Sequence, residues 1–151
     1  MYIFQSSSLM VNTMKIIPAT HHHLSALIEL DTYAQQDASR VDEIKAWLSS
    51  QAVYLLEVDA QIVGYGVIHH HFFNQPFIEL VMIDKKYRQK GYGKCLMTYF
   101  QENTQGNKLF TSTNKSNHAM RNMLAQLGFI ESGCIENLDE NDPEIIYCFI
   151  K

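Results

Sequence analysis

Hydrophobic residues recur at helical spacing in four stretches of the chain. In the first stretch, Leu24, Leu27 and Leu30 lie three positions apart, as on the apolar face of an amphipathic helix. The other three stretches show similar spacing. The four predicted helices begin near Thr20, Ser39, Gly91 and Asn117. Thr20 and Ser39 carry hydroxyls of the kind that cap helix N-termini, and this supports the first two starts.

Runs of β-branched and aromatic residues between these stretches predict strands. The predicted strands are residues 14–19, 53–58, 62–73, 77–84, 109–113, 130–135 and 145–150. Residues 59–61 and 74–76 favour tight turns. The order of elements predicts an α/β fold, in which one mixed sheet is covered by helices on both faces.

The pattern contains no repeats and no linker, which predicts a single domain over residues 1–151. Met14 directly precedes the first predicted strand and could be the true start. In that case residues 1–13 would be an N-terminal extension or a misassigned start.

Composition narrows the class of protein. Three cysteines, Cys95, Cys134 and Cys148, cannot all pair and show no Cys-x-x-Cys spacing, which suggests reduced thiols inside a cell. No signal peptide is recognised at the N-terminus, and no apolar run is long enough to span a membrane. We therefore expect a cytoplasmic protein without a membrane partner; a homodimer is left open.

The net charge indicates which kinds of partner the protein favours. The formal charge of −4 and the pI near 5.9 disfavour broad nucleic-acid binding and mildly favour a cationic partner.

The segment from Arg88 to Lys94 carries the strongest chemical signal. It places two glycines and three cationic side chains on the turn between a strand and an apolar helix. Main-chain N–H groups at a helix start have no partner within the helix, and the helix dipole adds partial positive charge. Such a turn is typical of a site that binds a pyrophosphate.

Arg88, Gly91 and Gly93 give the chain its resemblance to the GNAT superfamily of N-acetyltransferases. The acetyl-CoA signature of that family is Gln or Arg, two residues, Gly, one residue, then Gly or Ala, directly after a hydrophobic strand. A second family element starts at Asn117 and closes on residues 127–129, Leu-Gly-Phe. The two elements cover residues 77 to 130. The resemblance implies a GNAT-like fold with a central mixed, mostly antiparallel sheet.

The resemblance also implies a reaction, direct transfer of an acetyl group from acetyl-CoA to an amine. In the family, a β-bulge before the phosphate turn splays two strands, and the exposed main chain pairs with the pantetheine arm. The implied cofactor contacts are Val81, Ile83, Arg88, Gln89, Lys90, Gly91, Tyr92, Gly93, Lys94 and Asn117. The alternative role of Asn117 is a plain helix cap. No metal is implied.

Glu79 is the candidate general base. An alkylammonium has a pKa of about 10.4 and must lose a proton before it attacks a thioester. Glu79 lies in the strand of Val81 and Ile83 with the same parity, so we expect all three side chains on one face. Its apolar neighbours should partly desolvate the carboxylate and make it a better base. A structural carboxylate is the alternative.

Six of the seven histidines form two triplets, residues 21–23 and 69–71. The first should be a solvated helix turn. A hairpin turn at residues 74 and 75 would place His70 opposite Glu79, and one more loop residue would place His71 there. We therefore expect a histidine to face Glu79, as a proton relay or as a hydrogen-bonded sheet pair.

Leu124 departs from the family pattern. Many relatives carry a tyrosine near the CoA sulfur at this position, and leucine cannot donate a proton. Another group protonates the thiolate, or CoA leaves as the thiolate, or the protein binds CoA without efficient turnover. Tyr92, Tyr99 and Tyr147 are the other phenols considered.

The leading hypothesis is an N-acetyltransferase acting on a primary amine of a small cationic molecule or a peptide. Residues 136–144, with five carboxylates, would attract such an acceptor if they border its cleft, although a solvated loop is the simpler interpretation. A CoA-binding or sensing module is one alternative. A toxin-type enzyme acting on aminoacyl-tRNA is another, which the net charge disfavours despite the basic residues of segment 85–94.

Overall fold

The structure is a computed structural model that describes residues 13–151. The strands are β1 Met14–Pro18, β2 Val53–Val58, β3 Gln61–Phe72, β4 Gln75–Ile83, β5 Lys108–Asn114, β6 Ile130–Ile135 and β7 Glu144–Ile150. The helices are α1 Leu24–Leu30, α2 Ala38–Ser49, α3 Tyr92–Asn103 and α4 His118–Gln126, with short 3-10 turns at His21–His23 and Lys85–Tyr87. Residues 1–12 of the predicted N-terminal extension lie outside the described residues.

All seven strands join one sheet in the order β1-β2-β3-β4-β5-β7-β6. Among the strand pairs of residues 13–151, only β4–β5 is parallel. The other pairs are antiparallel. The predicted fold class, a mixed and mostly antiparallel sheet, is therefore confirmed.

Helices cover both faces of the sheet. Adjacent side chains of a strand point to opposite faces of the sheet, and β2 shows which helices cover each face. Leu55 packs with Leu27 of α1 and Ile44 of α2, whereas Leu56 packs with Leu96 of α3. Burial of apolar area on both sides stabilises the fold.

Two local predictions were wrong. Asp37, not Ser39, is the N-cap of α2, and its carboxylate accepts the Ser39 N–H at 2.9 Å. The hydrogen bond from the Ser39 hydroxyl lowers the pKa of Asp37. The β3–β4 turn consists of Phe73 and Asn74 instead of residues 74–76, because both adopt positive φ angles (50° and 61°) that close a two-residue hairpin.

The hairpin and a β-bulge together set the register around Glu79. Ile68 pairs with Ile78 and Val67 with Leu80, so Glu79 is the extra residue of the bulge. On its other edge, β4 pairs with β5 only through Phe77 and Ile78. Beyond these pairs the two strands separate, as the family resemblance implied, and a gap opens along residues 79–83.

A buried ionic network fixes the loop between α1 and α2. Asp31 is fully buried and accepts hydrogen bonds from the Tyr65 hydroxyl (2.5 Å) and the Arg40 guanidinium (3.1 Å). Its carboxylate also accepts the main-chain N–H groups of Tyr33 and Ala34. The loop is thereby attached to β3, and Tyr33 is held beside the sheet.

We expect Tyr65→Phe to lower the free energy of unfolding by about 2 kcal/mol, since a buried carboxylate would lose a hydrogen bond. Burial and the bond to Asp31 raise the pKa of Tyr65 above that of the unfolded chain. Its stabilisation is therefore fully present below about pH 10 and declines above it. Urea unfolding measures the effect. Tyr87→Phe is the control because the Tyr87 hydroxyl bonds Gln61 at the surface, and an equal loss in both variants would contradict the prediction.

Candidate functional site

The turn before α3 has the main-chain geometry of an anion site. Gly91 is the N-cap of α3 with a φ of 82°, and Gln89 has a φ of 62°. A Cβ atom built on Gly93 would lie 3.9 Å from the side chains of Val81 and Ile83. The first N–H groups of α3 therefore lie close to the end of β4, with only glycine hydrogens between them at position 93.

A cleft of about 690 Å³ runs over this turn, and we call it the donor cleft. Of the ten predicted cofactor contacts, nine line it, namely Val81, Ile83, Arg88, Gln89, Gly91, Tyr92, Gly93, Lys94 and Asn117. Lys90 does not line the cleft, and its ammonium lies 5.8 Å from the Tyr87 ring centroid. Tyr33 also lines the donor cleft, and no sequence pattern indicated this position.

The side chain of Arg88 points back to the fold. Its Nε donates to the Ile83 carbonyl at 3.0 Å, and its Nη2 lies 3.4 Å from the Thr32 hydroxyl. Arg88 therefore ties the turn to β4 and to the α1–α2 loop. The family resemblance implied that main-chain groups of Ile83 pair with the pantetheine arm. One of these groups, the Ile83 carbonyl, already accepts the Arg88 Nε–H.

Asn117 is the N-cap of α4, which is one of the two roles predicted for it. Its Oδ1 accepts the Met120 N–H at 3.2 Å. The side-chain amide still has two N–H donors, which lie at the edge of the donor cleft. Capping and ligand binding are therefore compatible at this residue.

Two further clefts meet at Glu79. The gap between β4 and β5 forms a cleft of about 170 Å³, the splay cleft, which shares Val81 and Asn117 with the donor cleft. A cleft of about 570 Å³ opens beside α2 and is lined by Trp47, Tyr54, Ile68 and the histidines 69–71 among others. We call it the histidine cleft. Glu79 is the residue that lines both the splay cleft and the histidine cleft.

The histidine partner that the sequence predicted for Glu79 was wrong. His69, rather than His70 or His71, contacts it, with 3.1 Å between His69 Nε2 and Glu79 Oε2. The bulge also breaks the alternation of side chains, since Ile78 and Val81 both pack against the α3 and α4 side. Glu79 itself lines both the splay cleft and the histidine cleft, and 42% of its side chain is exposed.

Leu124 is fully buried in the apolar cluster with Leu109 and Phe129 and lines none of the three clefts. Of the three phenols considered, Tyr92 lies in the donor cleft. The buried Tyr147 accepts the Arg121 Nε–H at 3.1 Å. Burial, and then the neighbouring Tyr54, raise the pKa of Tyr99. The splay cleft itself offers the hydroxyls of Thr111, Ser112 and Thr113.

The acidic loop packs against the segment that leads into α4. Asp142 accepts the N–H (3.0 Å) and hydroxyl (2.6 Å) of Ser116, and Asp139 accepts the Asn114 amide at 2.7 Å. Two of its five carboxylates therefore have structural partners. Residues 136–144 line neither the donor cleft, the splay cleft nor the histidine cleft.

Within residues 13–151, no helix is both long enough and apolar enough to cross a membrane. The same residues contain no group of three or more His, Cys, Asp or Glu side chains arranged to hold a metal ion.

The chain is similar to known proteins in both sequence and structure. Residues 21–129 match the sequence model of the acetyltransferase (GNAT) family. No curated protein matches the chain significantly. The crystal structure of a GNAT family acetyltransferase from Bacillus cereus is 31% identical, with a TM-score of 0.84. The match covers 92% of this chain and 98% of the Bacillus chain.

Two more distant structures share the fold. The ribosomal-protein-S18-alanine N-acetyltransferase of Escherichia coli is 15% identical with a TM-score of 0.76. The protein yncA of Salmonella typhimurium, solved with its cofactor acetyl-CoA, is 15% identical with a TM-score of 0.73. Each match covers 91% of this chain and 94% of the other.

Proposed function

This chain belongs to the acetyltransferase (GNAT) family, and we propose on that premise that it transfers an acetyl group from acetyl-CoA to a primary amine held in the histidine cleft. The position of Glu79 is the observation that carries the proposal, because this carboxylate lines both the splay cleft and the histidine cleft. A base at that junction can reach an amine entering from one side and a thioester entering from the other.

The donor cleft fits acetyl-CoA in shape and in donor chemistry. The free N–H groups at the start of α3 and the Lys94 ammonium suit a pyrophosphate, while Arg88 holds the turn against β4. Beyond Ile78 the unpaired edge of β4 offers main-chain groups to an amide-bearing arm, as another strand would. Asn117 supplies amide donors where the donor and splay clefts meet.

The reaction requires a new bond from the amine nitrogen to the acetyl carbon and cleavage of the bond from that carbon to sulfur. Glu79 takes the proton that the ammonium must lose before it attacks. The departing thiolate regains a proton from solvent, or from Glu79 once the amine proton resides there. Both substrates are held together, so the transfer is direct and forms no acetyl-enzyme.

The histidine cleft favours an acceptor with one positive charge. Among its lining residues only Glu79 is a carboxylate, while Trp47 and Tyr54 provide aromatic surface. A polyamine needs several spaced carboxylates, and Asp139 and Asp142 of the acidic loop instead accept hydrogen bonds from Asn114 and Ser116, respectively. We therefore propose a small monoamine with an aromatic or apolar body, or the α-amine of a peptide.

A panel of amines tests the function. We expect acetylated products from aryl-alkyl monoamines or peptide α-amines, with slower transfer to spermidine, because the cleft offers one carboxylate. Mass spectrometry identifies the products, and thiol release measures the rate. Native acetyl-CoA binding without transfer to any amine would indicate the CoA-binding module instead. Transfer to aminoacyl-tRNA alone would indicate the toxin-type enzyme.

A further inference from the structure

Three histidines line the cleft beside Glu79, and the structure distinguishes one of them. We propose that His69 is a positioning residue, held as the Nε2–H tautomer by the main chain of His71, which orients the Glu79 carboxylate and leaves it as the proton acceptor. The positioning role of His69 in acetyl transfer rests on the proposed function. The tautomer itself can be tested without any turnover.

The tautomer follows from two hydrogen bonds. The His71 main-chain N–H lies 3.0 Å from His69 Nδ1, and an N–H group can only donate. His69 Nδ1 must therefore carry a lone pair. A neutral imidazole then has its single hydrogen on Nε2, which lies 3.1 Å from Glu79 Oε2 and donates to it.

Packing holds the ring in this orientation. The His69 ring stacks on the Phe77 ring with centroids 5.4 Å apart, and on the His71 ring with centroids 5.6 Å apart. Only 26% of the His69 side chain is exposed. Two stacked rings and hydrogen bonds at both nitrogens leave little freedom to rotate.

This arrangement separates the roles of the two residues. His69 cannot accept a proton at Nε2, which already has one, or at Nδ1 without losing the bond from His71. Glu79 keeps Oε1 free, since no other side chain among the described residues bonds its carboxylate. The hydrogen bond from His69 to Oε2 orients the carboxylate and leaves Oε1 for the substrate.

The residues around His69 and Glu79 add few other charges to the histidine cleft. His70 and His71 lie on the same strand and are the nearest further titratable groups in the cleft. From α2 and the turn after it, the cleft is lined by Trp47, Ser50 and Gln51, none of which ionises, and from β2 by the Tyr54 phenol. Among the described residues of this cleft, His69 is therefore the titratable side chain that contacts Glu79.

The tautomer is measured on the full-length chain with histidine labelled with ¹⁵N. Long-range proton–nitrogen correlations distinguish Nε2–H, Nδ1–H and doubly protonated rings, and the signals missing from His69→Gln identify His69. We expect the Nε2–H form at neutral pH without any substrate. An Nδ1–H or doubly protonated ring would overturn the inference whether or not the protein transfers acetyl groups.

Kinetics test the positioning role. His69→Ala should lower kcat about tenfold and leave the KM for acetyl-CoA unchanged. The acidic limb of the pH–rate profile should move to higher pH, because the carboxylate loses a donor. His69→Gln should recover most of the rate, since its amide can donate from nearly the same place. An unchanged rate and profile in His69→Ala, or a loss in His69→Gln as complete as in Glu79→Gln, would overturn the proposal.

Discussion

Glu79→Gln is expected to lower turnover of the amine acceptor about 1,000-fold, within the range usual for loss of a general base. Glutamine keeps the shape of the side chain and an oxygen that can accept the His69 N–H, but it cannot take a proton from an ammonium. The donor cleft is lined by other residues, so the affinity for acetyl-CoA should remain close to native.

Steady-state rates across pH and calorimetry with acetyl-CoA measure the two effects separately. Glu29→Gln is a suitable control, because Glu29 is an exposed carboxylate of α1 that lines none of the three clefts. The acidic limb of the pH–rate profile should disappear in Glu79→Gln and persist in the control. If the limb persists in both variants, the proton leaves through ordered water and Glu79 is not the base.

The elements that local sequence determines were predicted well. β2 and β6 have the predicted bounds, and the glycine turn opens α3 as expected. A helix start depends on residues a few positions apart, so its signal is contained in the segment itself. Nine of the sixteen residues that line the donor cleft were predicted, and six of those nine belong to the continuous segment Arg88–Lys94.

The pairing across the β3–β4 hairpin could not be predicted in the same way. A shorter turn and one bulge residue shifted the register, and a shift of one residue changes which side chains meet. His69 therefore meets Glu79 in place of His70 or His71. Neither the left-handed φ of Phe73 nor the bulge at Glu79 has a strong sequence signal, because both depend on the neighbouring strands.

Long-range polar contacts were also missed. Asp31 and Tyr65 are separated by 34 positions, and no local pattern connects them. Their network supports Tyr33 and Arg40, whose guanidinium lies 5.2 Å from the Tyr33 ring and 5.7 Å from the Trp47 ring. Tyr33 lines the donor cleft and Trp47 lines the histidine cleft, so one cation contacts aromatic walls of both.

Gly93→Val is expected to weaken acetyl-CoA binding about 100-fold, a loss of about 2.7 kcal/mol in binding free energy. A Cβ at residue 93 would point toward Val81 and Ile83 at an ordinary contact distance of 3.9 Å. The protein itself should therefore tolerate a side chain there, while the two methyl groups of valine would extend into the space proposed for the donor. Gly91 is a poorer test, because its φ of 82° would strain any replacement.

Gly93→Ala is the matched control, since the family signature accepts Gly or Ala at this position and a single methyl group adds little bulk. Calorimetry should show near-native acetyl-CoA affinity for the alanine variant and a large loss for valine. Urea unfolding should give similar stabilities for both, which separates blocked binding from misfolding. Near-native affinity in Gly93→Val would mean that the pyrophosphate does not lie at the start of α3. The donor would then have to bind along another part of the sheet.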